Sequence, residues 1–143
     1  MAKKNNVKIF LPIDVVVSKS FSNSDKQKEV DIQNIPVGWQ GLDIGTKTRK
    51  KFSDVVKQSN TILWNGPMGV FEMSSFQNGT KAVANAVAEA TKKGSFSLVG
   101  GGDSVAAVKK FNLKDKMSFI STGGGAMLER LEVKVLPGIK ALQ

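Results

Sequence analysis

A run of three glycines followed by an aspartate is the first place where the residue types suggest chemistry. Gly100, Gly101 and Gly102 stand between the apolar run Phe96–Val99 and the pair Asp103-Ser104. Glycines let a backbone approach a phosphate closely, and free N–H groups at a helix start attract an anion. A carboxylate at this position requires a cation between itself and the phosphate, and Mg²⁺ commonly bridges the two. The alternative, which stays open, is that Asp103 or Ser104 only caps the next helix.

A second triple glycine follows the next predicted strand. Ser121-Thr122 precede Gly123, Gly124 and Gly125, and a helix is predicted after them. One glycine-rich turn is weak evidence for a ligand, but two on successive strands place two helix N-termini at the same sheet edge. Neither run has the spacing of a P-loop or of the G-x-G-x-x-G dinucleotide motif. The pair therefore favours a polyanionic ligand.

A third junction, residues 64–72, carries an amide and a carboxylate around a tight turn. Asn65 stands at a strand end, where its amide could bond a phosphate or a ribose. Glu72 follows the turn and could accept hydrogen bonds from ribose hydroxyls, as acidic residues do in other nucleotide-binding folds. The alternative is an ordinary turn in which Asn65 bonds its own backbone and Glu72 is solvated.

Strands that alternate with helices must position these junctions. Apolar runs predict strands at Lys8–Leu11, Asp14–Val17, Thr61–Trp64, Phe96–Val99 and Met117–Ile120. Apolar spacing of three and four predicts helices at Thr46–Gln58, Asn78–Lys93, Ser104–Phe111 and Ala126–Glu132. The intervening segments are predicted to be a polar surface excursion at Ser18–Asn34 and turns at Pro36–Gly45 and Pro137-Gly138. This alternation indicates an α/β fold with a parallel sheet.

The composition narrows the possible chemistry. The chain has 143 residues with no cysteine and no histidine, which excludes disulfides, thiolate zinc sites and serine–histidine hydrolysis. The net charge of +9 suits anionic partners, but the charge is spread evenly and aromatics are scarce, so no nucleic-acid partner is predicted. No apolar stretch approaches the ~20 residues of a membrane span. We therefore expect a cytoplasmic protein without membrane contact.

Six short motifs resemble phosphoglycerate kinase in order and spacing. They are L-P-I-D at 11–14, G-W-Q-G-L-D-I-G at 38–45, W-N-G-P-M-G-V-F-E at 64–72, V-G-G-G-D-S at 99–104, S-T-G-G-G-A at 121–126 and K-V-L-P-G-I at 134–139. The resemblance runs from about Lys8 to the end. Phosphoglycerate kinases are two-lobed enzymes nearly three times this length, and this sequence resembles their C-terminal third.

The resemblance implies a fold and a reaction. The fold would be the incomplete C-terminal part of a Rossmann-like, three-layer αβα nucleotide-binding lobe over 1–133, with a tail over 134–143 that returns to the N-terminal lobe. The full enzyme would transfer a phosphoryl group between 1,3-bisphosphoglycerate and ADP in glycolysis, with Mg²⁺ as cofactor. Phosphoglycerate would bind only with the missing N-terminal lobe.

The resemblance also assigns roles to individual residues. Gly41 and Leu42 would line the adenine pocket near Gly66, Pro67 and Gly69, while Asn65 approaches the phosphates and Glu72 the ribose. Gly101, Gly102, Asp103 and Ser104 would contact the nucleotide phosphates, with Asp103 holding Mg²⁺. Gly123, Gly124 and Gly125 would present a helix N-terminus to the transferring phosphoryl group, as the catalytic element.

Several features limit what this chain would do alone. The resemblance implies that the family's phosphoglycerate-binding arginines and histidines, and the lysines that reach the nucleotide phosphates, precede this segment, so we expect no kinase turnover. Two alternatives remain open: a weak Mg–nucleotide-binding module, or a structural folding unit that binds nothing. The full enzyme is expected to be a monomer, whereas an incomplete parallel sheet exposes an apolar edge and favours self-association. Met127, Arg130 and Val133 depart from the family pattern, and Met127 puts the geometry of its helix in doubt.

Overall fold

The computed structural model describes residues 1–23, 26–132, 136 and 140–141. Val133, most of the tail from Lys134 and the turn predicted at Pro137-Gly138 lie outside the described residues. The chain forms two compact units, which we treat separately. The first comprises Met1–Val55 and Met68–Val83, and the second comprises Val56–Pro67 and Ala84–Gln143.

An antiparallel sheet forms the framework of the first unit. Its strands are β1 (Asp14–Ser18), β2 (Lys28–Asp31) and β3 (Gln40–Ile44), in the order β2-β1-β3. The register pairs Val15 with both Val30 and Ile44, and a bulge follows Val16 on the β3 side. The central strand β1 supplies Val17, which is fully buried.

Three sequence-based predictions for this unit are wrong in whole or in part. Lys8–Leu11 does not form a strand, because it has no strand partner and its apolar side chains Ile9 and Leu11 are exposed. The segment Ser18–Asn34 is more than a surface excursion, since Lys28–Asp31 pairs with β1 along its whole length. Of the turns predicted at Pro36–Gly45, the one at Pro36–Trp39 is present, with the Trp39 N–H bonded to the Pro36 carbonyl at 3.0 Å, whereas the segment around Leu42 is strand β3.

A buried carboxylate fixes the helix that follows β3. Helix α1 (Thr46–Lys57) begins where the Asp14 carboxylate accepts N–H bonds from Lys47 and Thr48, both at 2.8 Å. The Thr48 hydroxyl also bonds Asp14 and accepts from the N–H of Ile13 at 2.9 Å. Burial by itself would raise the pKa of Asp14, but the bonds donated by Thr48 and Lys47 lower it below its ordinary value.

A parallel sheet forms the framework of the second unit. Its strands are β4 (Thr61–Asn65), β5 (Phe96–Gly100) and β6 (Phe119–Ser121), in the order β4-β5-β6. Strand β4 is followed by α2 (Asn78–Lys92), β5 by α3 (Gly102–Lys110) and β6 by α4 (Gly124–Leu131). Single 3-10 turns occur at Lys3–Asn5, Ile32–Asn34, Ser74–Phe76 and Lys114–Lys116. The predicted α/β class with a parallel sheet is confirmed.

One face of this parallel sheet belongs to the core. Alternation along the strands places Ile62 and Trp64 of β4 beside Ser97 and Val99 of β5, and all four are buried. Helix α2 contributes Val87 and Ala90 in the predicted pattern, and α3 contributes the buried side chains of Val105 and Val108. No helix in the described part of the chain is long and apolar enough to cross a membrane.

Candidate functional site

The ends of the three parallel strands meet in register. Asn65 pairs with Gly100, and Gly100 pairs with Ser121, so the last residues of β4, β5 and β6 lie side by side. The first two junctions, and residues 64–67 of the third, therefore lie at one edge of the sheet within the second unit. Residues 68–72 of the third junction belong to the first unit. Helices α3 and α4 both begin at this edge.

The two glycine loops touch backbone to backbone. A Cβ on Gly124 would lie 2.5 Å from the Gly101 nitrogen and 2.6 Å from its Cα, closer than real Cβ atoms come. A Cβ on Gly101 would lie 2.7 Å from Oδ1 of Asn65, and Gly101 has a φ of +89°. Packing alone thus explains glycine at 101 and 124, and the Asn65 amide lies against both loops.

The other glycines of these loops have no such packing reason. A Cβ on Gly102, Gly123 or Gly125 would meet nothing within 4 Å, and none of the three has a positive φ. The space above them is open. The fold would therefore tolerate a side chain at these three positions. The same space is available to a ligand that approaches the backbone.

Neither helix start carries a side-chain cap among the described residues. The N-cap positions of α3 and α4 are Gly101 and Gly123, and no side chain bonds the N–H groups there. Asp103 is exposed inside the first turn of α3, which argues against the reading that it only caps the helix. Uncapped N–H groups leave two partial positive charges at the same edge.

Ser104 has an internal role in this arrangement. Its side chain is fully buried and its hydroxyl accepts the N–H of Gly66 at 2.6 Å. The indole N–H of Trp64 donates to the Gly66 carbonyl at 2.7 Å, and Gly66 has a φ of +120°. These bonds fix the turn Asn65-Gly66-Pro67. The phosphate contact expected of Ser104 stays a prediction, one that its burial does not favour.

In the first unit, a cavity of about 260 Å³ brings together three other predicted residues. Gly41, Leu42 and Gly69 line it. Its remaining lining includes Pro12, Ile32 and Val70. The N–H of Val70 donates to the Leu42 carbonyl at 2.9 Å, which ties the loop 68–70 to the end of β3. Glu72 follows this loop and is exposed.

Asp43 lies beside Gly69 of the same loop, and sequence reasoning did not single it out. Its buried carboxylate accepts the N–H of Gly79 at 2.7 Å and of Ile44 at 2.9 Å. Burial raises the pKa of Asp43 to about 6, although these two bonds and the charge of Arg49 act to lower it. A Cβ on Gly69 or Gly79 would overlap the carboxylate. An aspartate flanked by apolar residues and followed by glycine was the signal for a buried role.

The comparison with known proteins decides the family. The sequence model of the family described as phosphoglycerate kinase matches residues 1–134. The chain belongs to the phosphoglycerate kinase family. Among solved structures it is similar to the phosphoglycerate kinase from Coxiella burnetii, with 45% identity and a TM-score of 0.89. It is also similar to the enzyme from Pyrococcus horikoshii OT3, with 36% identity and a TM-score of 0.76.

The match covers only part of those phosphoglycerate kinases. It includes 99% of this chain and 36% of the Coxiella burnetii chain, and 92% of this chain and 32% of the Pyrococcus horikoshii chain. This chain therefore spans about a third of the length of the kinases it matches. The family resemblance found in the sequence motifs is confirmed.

Two residues that depart from the usual phosphoglycerate kinase pattern can be placed. Met127 is half-buried, and a Cβ on Gly100 would overlap its methyl carbon and lie 2.9 Å from its sulfur. The thioether thus packs on the end of β5 and holds α4 against the sheet. Arg130 is exposed, so this substitution adds a surface charge.

The residues fit a magnesium ion that arrives with a nucleotide. No cluster of three or more acidic side chains exists in the described part of the chain. Mg²⁺ is usually held by one or two carboxylates together with substrate phosphates. The exposed carboxylate of Asp103 adjoins the open space at Gly102, which suits that kind of binding.

A larger cavity, of about 700 Å³, lies elsewhere in the second unit. Asn85, Glu89 and Lys92 of α2 line it together with Leu113 and Asp115. None of the predicted site residues lines this cavity. Its size therefore does not make it the candidate site of this phosphoglycerate kinase family member.

Proposed function

We propose that this chain is the part of a phosphoglycerate kinase that binds the phosphates of Mg–ADP and Mg–ATP. The observation that carries the proposal is the meeting of two uncapped helix starts at Asn65, with open space above Gly102, Gly123 and Gly125. Backbone N–H groups that converge in this way are suited to several negative charges at once.

Each part of the phosphate site has a separate task in this proposal. Asp103 would hold Mg²⁺, which neutralises phosphate charge when it is bound. Gly123, Gly124 and Gly125 would turn the N-terminus of α4 toward the phosphoryl group, and Asn65 would donate its amide to a phosphate oxygen. Transfer between 1,3-bisphosphoglycerate and ADP needs positioning and charge neutralisation rather than a proton-abstracting base. A chain without histidine is compatible with that demand.

In the first unit, the family pattern assigns the adenine pocket to Gly41 and Leu42, with Gly69 nearby. The cavity that these residues line supports the assignment. Glu72 would accept hydrogen bonds from the ribose hydroxyls. Gly66 and Pro67, in the second unit, are proposed only to shape the turn after Asn65. The boundary at 133/134, with a tail that returns to the other lobe, also stays a proposal.

We propose that the 143-residue chain alone has no kinase turnover. It spans about a third of the kinases it matches, and the phosphoglycerate site belongs to the family's other lobe. The second candidate is a structural unit that does not bind nucleotide. The three open glycines favour binding, because the fold has no need of glycine at those positions. A cytoplasmic location agrees with glycolysis and remains a proposal.

A comparison of glycine variants tests this function. Gly125→Ala fills open space inside α4, so we expect the free energy of unfolding to rise by about 0.4–1 kcal/mol. The same methyl group would obstruct a phosphate, so calorimetric titration with Mg–ADP is expected to show binding weakened about tenfold. Ala126→Gly is the matched control, because it removes a methyl group from the same turn of α4 instead of adding one.

Asp103→Asn separates the metal from the rest of the site. It is expected to remove the difference between titrations with Mg–ADP and with ADP in EDTA. Unchanged Mg–ADP affinity in both Gly125→Ala and Asp103→Asn would contradict the proposed site. Formation of ATP by the wild-type chain from ADP and 1,3-bisphosphoglycerate would contradict the predicted lack of turnover.

A further inference from the structure

The sequence contains two Asn-Gly pairs, Asn65-Gly66 and Asn78-Gly79. An asparagine followed by glycine is prone to deamidation, because glycine has no Cβ to hinder the approach of its backbone nitrogen to the asparagine side chain. Both asparagines are exposed, so water reaches each of them. Exclusion of water therefore protects neither pair, and the fold controls the reaction through the attacking atom, which is the glycine nitrogen.

In both pairs, a buried side chain distant in sequence accepts the N–H of the glycine. The Gly66 N–H donates to the Ser104 hydroxyl at 2.6 Å, and the Gly79 N–H donates to the Asp43 carboxylate at 2.7 Å. Opening either bond leaves a buried acceptor unsatisfied, so the nitrogen is held in place with its proton.

The two pairs differ in what else restrains them. Gly79 lies in the first turn of α2, so the helix also restrains its nitrogen. Gly66 lies outside any helix and has a φ of +120°. The Trp64 indole bonds the Gly66 carbonyl, whereas the Ser104 hydroxyl bonds the attacking nitrogen itself. Protection of Asn65 therefore depends on Ser104 more than protection of the other pair depends on its acceptor.

We propose that Asn65 is a site of spontaneous deamidation whose rate is set by the Ser104 hydroxyl. When the bond to Ser104 opens, the Gly66 nitrogen loses its proton to solvent and attacks Cγ of Asn65. The new N–Cγ bond closes a succinimide ring, the Cγ–Nδ2 bond breaks, and the amide takes up a proton and leaves as ammonia. Water then opens the ring at one of its two carbonyls, which leaves aspartate or isoaspartate at position 65. Water is the only co-reactant.

The product places a negative charge against both glycine loops. A Cβ on Gly101 or Gly124 would lie 2.7 or 3.3 Å from Oδ1 of Asn65, so the new carboxylate would stand beside the starts of α3 and α4. A carboxylate there would repel the phosphates of a nucleotide. This loss of Mg–ADP affinity rests on the proposed function, whereas the deamidation itself does not.

The test follows both sites in the same molecule. Wild type and Ser104→Ala are incubated at mildly alkaline pH, and mass spectrometry measures the deamidated fraction at each asparagine. Cleavage after Glu72 places Asn65 and Asn78 in different peptides. Asn78 is the internal control, because the nitrogen of its glycine is bonded by Asp43. Ser104→Thr is the matched variant that retains a hydroxyl, and wild type in denaturing urea gives the rate of each pair without the fold.

In the folded wild type, we expect Asn65 to deamidate at least about tenfold more slowly than in urea. Ser104→Ala is expected to accelerate Asn65 about tenfold and to leave Asn78 within about twofold, while Ser104→Thr keeps the wild-type rate. Equal rates at Asn65 in the folded and the unfolded wild type would overturn the proposal. An unchanged rate in Ser104→Ala would also overturn it. So would equal acceleration at both sites, because global unfolding would then control the rate.

A separate titration distinguishes the chemistry from its consequence. Asn65→Asp reproduces one of the two products and is expected to bind Mg–ADP at least about tenfold more weakly than wild type. Unchanged affinity would contradict the phosphate site of the proposed function and would leave the role of Ser104 in deamidation standing.

Discussion

The buried carboxyl group of Asp43 makes the stability of the chain depend on pH in a defined direction. Burial raises the pKa of Asp43 from 3.8 to about 6 in the folded chain. Between those values the folded chain holds a proton that the unfolded chain has released. The free energy of unfolding therefore falls by about 1.4 kcal/mol per pH unit, or about 3 kcal/mol across the window. This contribution is fully present below about pH 4 and is lost above about pH 6.

Asp43→Asn isolates this effect, because the amide does not titrate in either state. We would measure urea unfolding by the fluorescence of the buried Trp64 at pH 4, 5, 6 and 7 in wild type and variant. The other carboxylates contribute equally to both proteins, so the difference between them reports Asp43. Asp54→Asn is the control, because Asp54 is exposed and pairs with Lys50 on the surface. Its change is expected to stay below about 1 kcal/mol at every pH.

From pH 4 to pH 6, the free energy of unfolding of the wild type should therefore fall by about 3 kcal/mol relative to that of Asp43→Asn. A difference that stays flat within about 0.5 kcal/mol would refute the reasoning. So would a wild type that gains stability over the variant as pH rises, because Asp43 would then ionise more easily in the folded chain.

Three further substitutions test the packing on which the site depends. Gly124→Ala places a Cβ against the backbone of the neighbouring glycine loop, so the free energy of unfolding in urea should fall by about 1–3 kcal/mol. An unchanged value would show that the loops can separate. Gly100→Ala meets only the flexible end of Met127, so its cost should be about 1 kcal/mol and should shrink in a Met127→Ala background, whereas additive costs would contradict the contact. Thr48→Val leaves the buried N–H groups at the start of β1 without their acceptor and should cost about 1–3 kcal/mol, while a loss below about 0.5 kcal/mol would mean that this network adds nothing.

The elements that the sequence predicted well are those with a local cause. The alanine-rich spacing of Asn78–Lys93 gave α2 almost to the residue, and the glycine runs marked the starts of α3 and α4. Helices α3 and α4 begin two residues earlier than predicted, at Gly102 and Gly124. Glycine is tolerated in a first turn that tertiary contacts hold in place.

The elements that could not be predicted depend on partners distant in sequence. Lys28–Asp31 is polar and mostly exposed, so nothing local marks it as a strand, and it becomes one by pairing with β1. Lys8–Leu11 has strand-like residues and no partner. The apolar neighbours of Asp43 suggest its burial, but the bonding partners of Ser104 and Asp43 could not be predicted. The hydroxyl of Ser104 bonds Gly66 and the carboxylate of Asp43 bonds Gly79, and these contacts join residues 36 to 38 positions apart.

The most direct test of the central claim is a titration of the isotope-labelled chain with Mg–ADP, followed by backbone amide NMR. The account predicts saturable shifts confined within the second unit to Asn65, Gly101–Ser104 and Gly123–Gly125, with smaller shifts when EDTA removes the metal. Two results would contradict a phosphate site at this sheet edge. One is the absence of saturable shifts at both glycine loops, and the other is shifts scattered over surface lysines elsewhere in the chain.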